Sequence, residues 1–303
     1  MRIFDILTSP WAIVPDKLQE IQEIYATHLR GEKIDIKAVE AMIGKPLNNE
    51  REPYQIINDV AVIPIHGIIA KRMNLFSQIS GGVSTQILAG DIKDAIADPA
   101  IKGLLLDVDS PGGTVDGTEE LAQVIFKARE EKPIVTYTDG MMASAALWIG
   151  SAAHKAYISG DTVSVGSIGV VASHVDYSEM EKREGVKTTE IYAGKFKRIA
   201  SQYEPLSPEG RASIQESVDY IYSVFVETVA KHRGVSTETV LSDMAEGRQF
   251  IGRQAITAGL VDGVSTFDRL IHSTLPAMWE KAQAEQQLNI LNKEIYENGP
   301  KGI

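Results

Sequence analysis

Four short stretches of the sequence carry hydroxyl, amine and glycine groups that together could cleave an amide bond. The first is MASAALW, in which Ser144 stands among alanines and large apolar side chains. A serine becomes a nucleophile when a nearby base takes its proton, and small neighbours let a substrate backbone approach closely. By itself this stretch is also typical of an ordinary buried serine. The role of Ser144 therefore depends on whether the fold places a base and an oxyanion site beside it.

The base for such a serine could be a histidine or a lysine. Of six histidines, His154 and His174 are the nearest to Ser144, but no Ser-His-Asp signature is present, and we expect both to be structural or surface residues. The stretch YAGKFKRIA places Lys195 and Lys197 at the end of a predicted strand, where one of two lysines at i and i+2 faces inward. Apolar surroundings lower the pKa of a lysine amine, which can then accept a proton. The alternative is two solvated surface lysines.

Two glycine-containing stretches complete the set. DVDSPGG ends an apolar run and contains Gly112 and Gly113, whose backbone N–H groups could stabilise a developing oxyanion. VGSIGVV contains Ser167, whose hydroxyl could orient a lysine amine. Each stretch alone is also compatible with a plain turn or a buried strand. Their convergence at one edge of a sheet is what would make a site.

The elements that must position these residues alternate along the chain. Strands are predicted at 59–70, 101–113, 133–139, 156–159, 165–173 and 186–192, and helices at 90–99, 117–132, 142–153 and from Ser207 to Gly234. This alternation predicts an α/β fold of repeated βαβ units with a mainly parallel sheet. The loops after consecutive parallel strands then open at the same edge, which would bring the SPGG turn to Ser144.

The two ends of the chain differ from its centre. Residues 1–57 predict an N-terminal helical extension, residues 58–265 the central α/β domain, and residues 266–303 a polar helical tail that is either a solvated extension or an assembly segment. A net charge of −11 argues against nucleic acid as a partner. The absence of cysteine excludes disulfides and thiol nucleophiles. With neither a signal-peptide pattern nor eighteen consecutive apolar residues, we expect a soluble cytoplasmic protein without a membrane anchor.

The order of SPGG, MASAALWIGSAA, VGSIGV and AGKFK resembles the signal peptide peptidase A family of serine–lysine peptidases. The resemblance covers the central domain and implies a Clp-protease/crotonase-like fold. It implies that Ser144 is the nucleophile, Lys197 the general base, Ser167 the residue that positions the lysine, and Gly112 with Gly113 the oxyanion loop. Lys195 stays open as the alternative base.

The N-terminal WAIVPDKLQEI and the missing anchor resemble the phage and prophage branch of this family, head-maturation proteases that act on capsid and scaffold proteins. The resemblance implies polypeptide substrates, a homo-oligomeric ring, and action in the host cytoplasm or within the prohead. Neither a metal nor a cofactor is needed. Three other hypotheses remain open: a host peptidase that degrades signal peptides, acyl-CoA chemistry on the same fold, and a non-catalytic capsid-assembly module with an inert serine.

One apolar stretch allows two interpretations. Residues 68–82 contain Met73, Leu75 and Phe76, which we expect to line a substrate groove or to lie in the core or a subunit contact.

Overall fold

The computed structural model describes residues 10–29, 54–72 and 82–298. The strands of these residues, in chain order, are β1 (Trp11–Ile13), β2 (Gln55–Ile57), β3 (Val60–His66), β4 (Ile68–Ala70), β5 (Gly82–Ser84), β6 (Gly103–Asp109), β7 (Gly112–Thr114), β8 (Ile134–Thr138), β9 (Met141–Ala143), β10 (Lys155–Ile158), β11 (Ser164–Gly166), β12 (Gln249–Ile251) and β13 (Gly263–Val264).

The helices are, in the same order, α1 (Pro15–Leu29), α2 (Thr85–Ala97), α3 (Thr118–Ala128), α4 (Ala145–Gly150), α5 (Ser178–Glu184), α6 (Pro208–Arg233), α7 (Thr237–Thr239), α8 (Arg253–Thr257), α9 (Phe267–Arg269) and α10 (Leu275–Asn298). Short π-helical turns, Val240–Met244 and Leu270–Thr274, follow α7 and α9.

Three sheets organise these strands. The largest has the order β13-β10-β8-β6-β3-β2, in which only the edge strand β2 is antiparallel to its neighbour. A four-stranded sheet has the order β1-β7-β4-β5, and a three-stranded sheet the order β12-β11-β9. The α/β architecture with a mainly parallel sheet, which the alternating elements predict, is confirmed.

Both faces of the six-stranded sheet are buried, which explains why its strands are nearly continuous apolar runs. In β6, Leu104 and Leu106 belong to the main core beneath α2, α3, α4 and α6, while Leu105 points to the other face. There it joins a second cluster with Leu270 and Leu275, at the start of the C-terminal helices. The sheet is therefore a rigid central layer, and its loops carry the candidate site.

Several predicted elements differ from those in the structure. Helix α2 begins at Thr85 rather than near residue 90, because the Ser84 hydroxyl caps it by accepting the N–H of Ile87 (3.4 Å). The strand predicted at 186–192 is wrong: that segment forms no strand and Ile191 is 98% exposed. None of the described strands pairs with its backbone. In the segment predicted as one strand at 165–173, the ladders with β9 and β12 end at Gly166, and Val171 forms an isolated antiparallel bridge with Trp11.

The ends of the chain are partly as expected. Helices are confirmed at Pro15–Leu29 and Leu275–Asn298. Residues 11–13, predicted as part of a helical extension, instead form β1 within the four-stranded sheet. Met73, Leu75 and Phe76 lie outside the described residues. Among the helices that the structure describes, none combines the length and apolarity needed to cross a bilayer.

Two histidines, the partly buried His154 and the buried His232, make the stability of the fold sensitive to acid. His154 accepts the backbone N–H of Ile134 (3.1 Å), and His232 shares a hydrogen bond with Ser151 (2.9 Å). Burial, and then the nearby positive charge of Arg129, lowers the pKa of each histidine to about 4. Both rings are therefore neutral in the folded protein at pH 7.

We expect the folded state to lose stability as the pH falls from about 6.5 to about 4, since the unfolded chain takes up protons in this window and the folded chain does not. Each histidine should lower the free energy of unfolding by up to about 1.4 kcal/mol per pH unit. Urea denaturation at several pH values would measure this. His232→Gln should flatten the dependence and the exposed His272→Gln should not; an unchanged slope in His232→Gln would contradict the assignment.

Candidate functional site

Ser144 occupies a sharp turn between a strand and a helix. It follows β9 directly and precedes α4, with φ 55° and ψ −118°. Its N–H donates to the carbonyl oxygen of Gly166 (2.8 Å), and its own carbonyl accepts the N–H of Trp148 (2.9 Å). The residue is fully buried, and its hydroxyl has no hydrogen-bond partner among the described residues. A free serine hydroxyl is thus presented at the end of a strand.

Backbone strain marks the same position. A positive φ is costly for a residue with a Cβ, by about 1–3 kcal/mol, and persists only where the surroundings impose it. Ser167 is strained in the same way, with φ 58°, and is also buried. Both serines predicted for the site therefore adopt left-handed backbone conformations. Such outliers concentrate at functional sites, and a strand–turn–helix arrangement like that at Ser144 is one that positions a serine nucleophile in α/β hydrolases.

The SPGG turn lies beside Ser144, as the sequence predicts. Ser110 forms a parallel bridge with Met142: its N–H donates to Met141 (2.8 Å), and its carbonyl accepts the N–H of Ala143 (3.1 Å). Two residues on, Gly112 has φ 105°, and a Cβ there would lie 3.0 Å from the Ser144 Cβ. The loop can approach the serine this closely because the residue is glycine.

The glycine amides are not both free in this state. The N–H of Gly112 donates to the hydroxyl of Ser110 (3.2 Å). Gly113 is paired with strands on both sides, and a Cβ there would lie 1.9 Å from the carbonyl oxygen of Ile69. The loop therefore has the right position for an oxyanion site, while its first amide is engaged within the loop.

Ser167 lies on the other side of the nucleophile. Gly166 is paired in parallel with Ala143, so the residue after each strand end, Ser167 and Ser144, emerges at the same edge. The N–H of Ser167 donates to the carbonyl oxygen of Arg248 (2.6 Å), which fixes the turn. The fold thus brings Ser144, Ser167 and the glycine loop together.

The lysines are elsewhere in this structure. The strand that would turn one of them inward does not form; Lys197 lies in an exposed turn, where its N–H donates to Gly194 (3.1 Å). Lys195 forms an ion pair with Glu209 (2.8 Å). Since the Ser144 hydroxyl has no partner among the described residues, neither lysine is bonded to it.

The histidines are structural, as expected. His154 is engaged with the backbone of Ile134, and His174 Nε2 is 2.9 Å from the carbonyl oxygen of Ser201. Neither is hydrogen-bonded to the Ser144 hydroxyl.

Sequence reasoning misses one component, strand β1. A Cβ at Gly112 would lie 2.3 Å from the carbonyl oxygen of Ala12, so β1 runs directly over the glycine loop. The signal for it is the apolar run WAIV before Pro15, which is too short to be distinguished from the start of a helix by periodicity.

Comparison with known proteins places these features in a family. The profile of Peptidase family S49 matches residues 127–279. Over 209 residues the chain is 34% identical to the head-tail preconnector protein GP5 of Enterobacteria phage P21, covering 69% of this chain and 41% of that protein. It is 32% identical over 209 residues to the capsid assembly protease C of Escherichia phage lambda, covering 69% and 47%.

A bacterial relative is similar to the same degree. Protease 4 of Salmonella typhi is 32% identical over 210 residues, which cover 69% of this chain and 33% of that protein. The chain spans less than half the length of these three relatives.

Two solved structures are similar over most of the chain. A ClpP1 mutant from Listeria monocytogenes matches with a TM-score of 0.40 and 15% identity, covering 69% of this chain and 94% of that one. A mutant of the 1510-N membrane-bound stomatin-specific protease, in complex with a substrate peptide, matches with a TM-score of 0.43 and 15% identity, covering 70% and 77%.

The close packing of the glycine loop predicts opposite effects for two glycine substitutions. Gly112→Ala should lower the free energy of unfolding by about 1–3 kcal/mol, because its φ is positive and its Cβ would meet Ala12 and Ser144. Gly90→Ala, in α2 with open space around it, should raise the free energy of unfolding by about 0.5–1 kcal/mol. Denaturant titration measures both; a neutral Gly112→Ala would show that the loop does not need the close approach.

Proposed function

The chain belongs to peptidase family S49, and from that premise we propose that it is a serine endopeptidase whose nucleophile is Ser144. The observation that carries this proposal is the strained, buried Ser144, whose hydroxyl has no hydrogen-bond partner in the described part of the chain, beside a loop whose close approach requires glycine. A structural serine in a tightly packed core normally has a hydrogen-bond partner. Here the backbone strain and the unpaired hydroxyl are more consistent with attack on a bound carbonyl.

The proposed reaction proceeds through an acyl-enzyme. Lys197 in its neutral form takes the proton of Ser144 as the hydroxyl oxygen attacks the scissile carbonyl carbon. The N–H groups of Gly112 and Gly113 stabilise the oxyanion of the tetrahedral intermediate. The C–N bond then breaks, and the lysine gives its proton to the leaving amine. Lys197 finally activates a water molecule, which hydrolyses the ester and releases Ser144; Ser167 positions the lysine amine.

Besides any rearrangement of Gly113, which is paired with strands on both sides, two groups must move for this reaction. The Gly112 N–H has to leave the Ser110 hydroxyl for the oxyanion, and Lys197 has to reach Ser144. The segment that carries Lys197 exposes large apolar side chains, Ile191, Tyr192 and Phe196. Exposed apolar patches are typical of protein–protein contacts. We therefore propose that copies of this chain associate through this segment, in the predicted homo-oligomeric ring, and that association brings Lys197 to a serine.

We propose polypeptides as the substrates and capsid or scaffold proteins as the physiological ones. The similarity to the capsid assembly protease of phage lambda supports this role. The comparable identity to Protease 4 of Salmonella typhi keeps a host peptidase as the second candidate. The alternative is a non-catalytic assembly module. An absence of cleavage by the wild-type chain in the assays below would favour it.

The dyad is tested by comparing three substitutions in the full chain. Cleavage of a denatured, fluorescently labelled protein should disappear in Ser144→Ala and fall by about 10²–10⁴ in Lys197→Ala, because the serine loses its base. Lys195→Ala should stay within about twofold, since this lysine pairs with Glu209 instead. Intact mass after treatment with a fluorophosphonate should show one adduct that Ser144→Ala lacks. Cleavage that persists in Ser144→Ala would refute the peptidase mechanism, and loss in Lys195→Ala alone would exchange the roles of the lysines.

A mixing experiment tests whether the lysine acts between chains. Ser144→Ala keeps the lysine and Lys197→Ala keeps the serine, so each is inactive alone. If Lys197 serves the serine of a neighbouring copy, oligomers reassembled from equal amounts should regain about a quarter of wild-type activity, because a site needs one chain of each kind in the right order. No recovery, with reassembly verified by labelled subunits, would place both residues of the dyad in one chain.

A further inference from the structure

Strand β1 is inserted between two segments that lead away from the candidate site. On one side it pairs antiparallel with β7, with Ile13 opposite Gly112. On the other side Trp11 and Val171 exchange two backbone hydrogen bonds, of 2.8 and 2.9 Å. Strand β1 therefore fills a slot one strand wide, with one wall at the glycine loop and the other just beyond Ser167.

This slot passes close to Ser144. A Cβ added to Gly112 would lie 2.3 Å from the carbonyl oxygen of Ala12 and 3.0 Å from the Cβ of Ser144. Both atoms are therefore close to the same point beside the glycine loop. One residue past β1, the N–H of Val14 donates to the carbonyl oxygen of Pro111 (3.0 Å). A polypeptide that presents a carbonyl to Ser144 in extended form would need the same backbone edge. Strand β1 and such a polypeptide cannot occupy the slot together.

We propose that residues 11–14 are a built-in competitor of the substrate, which keeps the peptidase latent until β1 leaves the slot. The proposal rests on the proposed function of Ser144. It also defines the substrate class: an extended segment with a small side chain at the position of Ala12, which is fully buried in the main core, and apolar side chains at those of Trp11 and Ile13.

The direction of the chain after β1 explains why this occupant is not cleaved. The carbonyl of Val14 accepts the N–H groups of Lys17 and Leu18 (3.0 and 3.2 Å), because α1 begins at Pro15. The chain thus turns into a helix where a substrate would continue in extended form beyond the scissile bond. In the same state none of the described residues is hydrogen-bonded to the Ser144 hydroxyl, so none of them is placed to take its proton.

Strand β1 is held in the slot by its own apolar cluster. Trp11 and Ile13 are 2% and 3% exposed and pack with Leu18, Ile21 and Ile68. Because the competitor is part of the same chain, its effective concentration at the slot is about millimolar or higher. A free polypeptide at micromolar concentration would be excluded until β1 is displaced.

A reversible crosslink tests the proposal directly, since the chain has no cysteine of its own. In an antiparallel pair that exchanges two hydrogen bonds the Cα atoms are about 5.5 Å apart, within the range of a disulfide. We expect oxidised Trp11→Cys/Val171→Cys to cleave a labelled protein at least about tenfold more slowly than its reduced form, because only the reduced form opens. The two single-cysteine variants control for oxidant and reductant. Equal activity of the two redox forms would overturn the proposal.

The opposite change opens the slot. Ile13→Glu buries a charge in the apolar cluster and should raise the cleavage rate by at least about tenfold. The matched control is Lys17→Glu, an exposed charge reversal on α1, which should leave the rate unchanged. Circular dichroism and a thermal melt establish that both variants are folded. A folded Ile13→Glu with wild-type activity would contradict the proposal; if it does not fold, the crosslinked pair decides.

Peptide binding separates this proposal from the proposed function. A fluorescent PWAIVP peptide, the sequence of residues 10–15, should bind Ile13→Glu/Ser144→Ala and not Ser144→Ala alone. If cleavage depends on Ser144 but has the same rate with and without the crosslink, the latent state is overturned and the proposed peptidase function stands. Peptide binding without any Ser144-dependent cleavage would refute the peptidase and keep β1 as the occupant of the slot. Equal peptide binding by the two variants would overturn the occupancy itself.

Discussion

The candidate site depends on how the last residues of β9 are held from both sides. Ser110 bonds to the backbone of Met141 and Ala143, and β11 pairs with β9 on the opposite edge up to Gly166. Where both ladders end, the N–H of Ser144 still reaches the carbonyl of Gly166. The backbone of Ser144 is thus forced into a left-handed turn that the chain would not choose locally.

Dense packing behind the serine maintains this turn. All six residues of α4 are buried, and Trp148 stacks on Phe225 with ring centroids 4.3 Å apart. Strained backbone persists only where the surrounding contacts leave no alternative. The large apolar side chains of MASAALW, which are typical of an ordinary core segment, therefore hold the backbone of Ser144 in its strained turn. They hold the hydroxyl at the boundary between the core and the slot.

Local patterns predict the fold and part of the site. Alternating strands and helices predict the parallel sheet, and the strand-end rule predicts that the glycine loop reaches Ser144; both are found in the structure. The base is a different case. The sequence around Lys197 favours a strand, but a strand needs a partner edge, and the described single chain offers none there. The role of β1 depends on pairing between residues far apart in the sequence, which no local window contains.

The pairing of β1 has a consequence for the order of folding. Trp11 lies far upstream of both its pairing partners in the sequence, Thr114 on one side and Val171 on the other. Contacts between such distant residues carry a larger loop-closure cost than the local βαβ contacts, so we expect them to form later. During synthesis β1 leaves the ribosome before Thr114 and Val171, so it has no partner strand to pair with until both have emerged. Each new molecule therefore passes through an interval in which its domain has formed and its first strand has not yet docked.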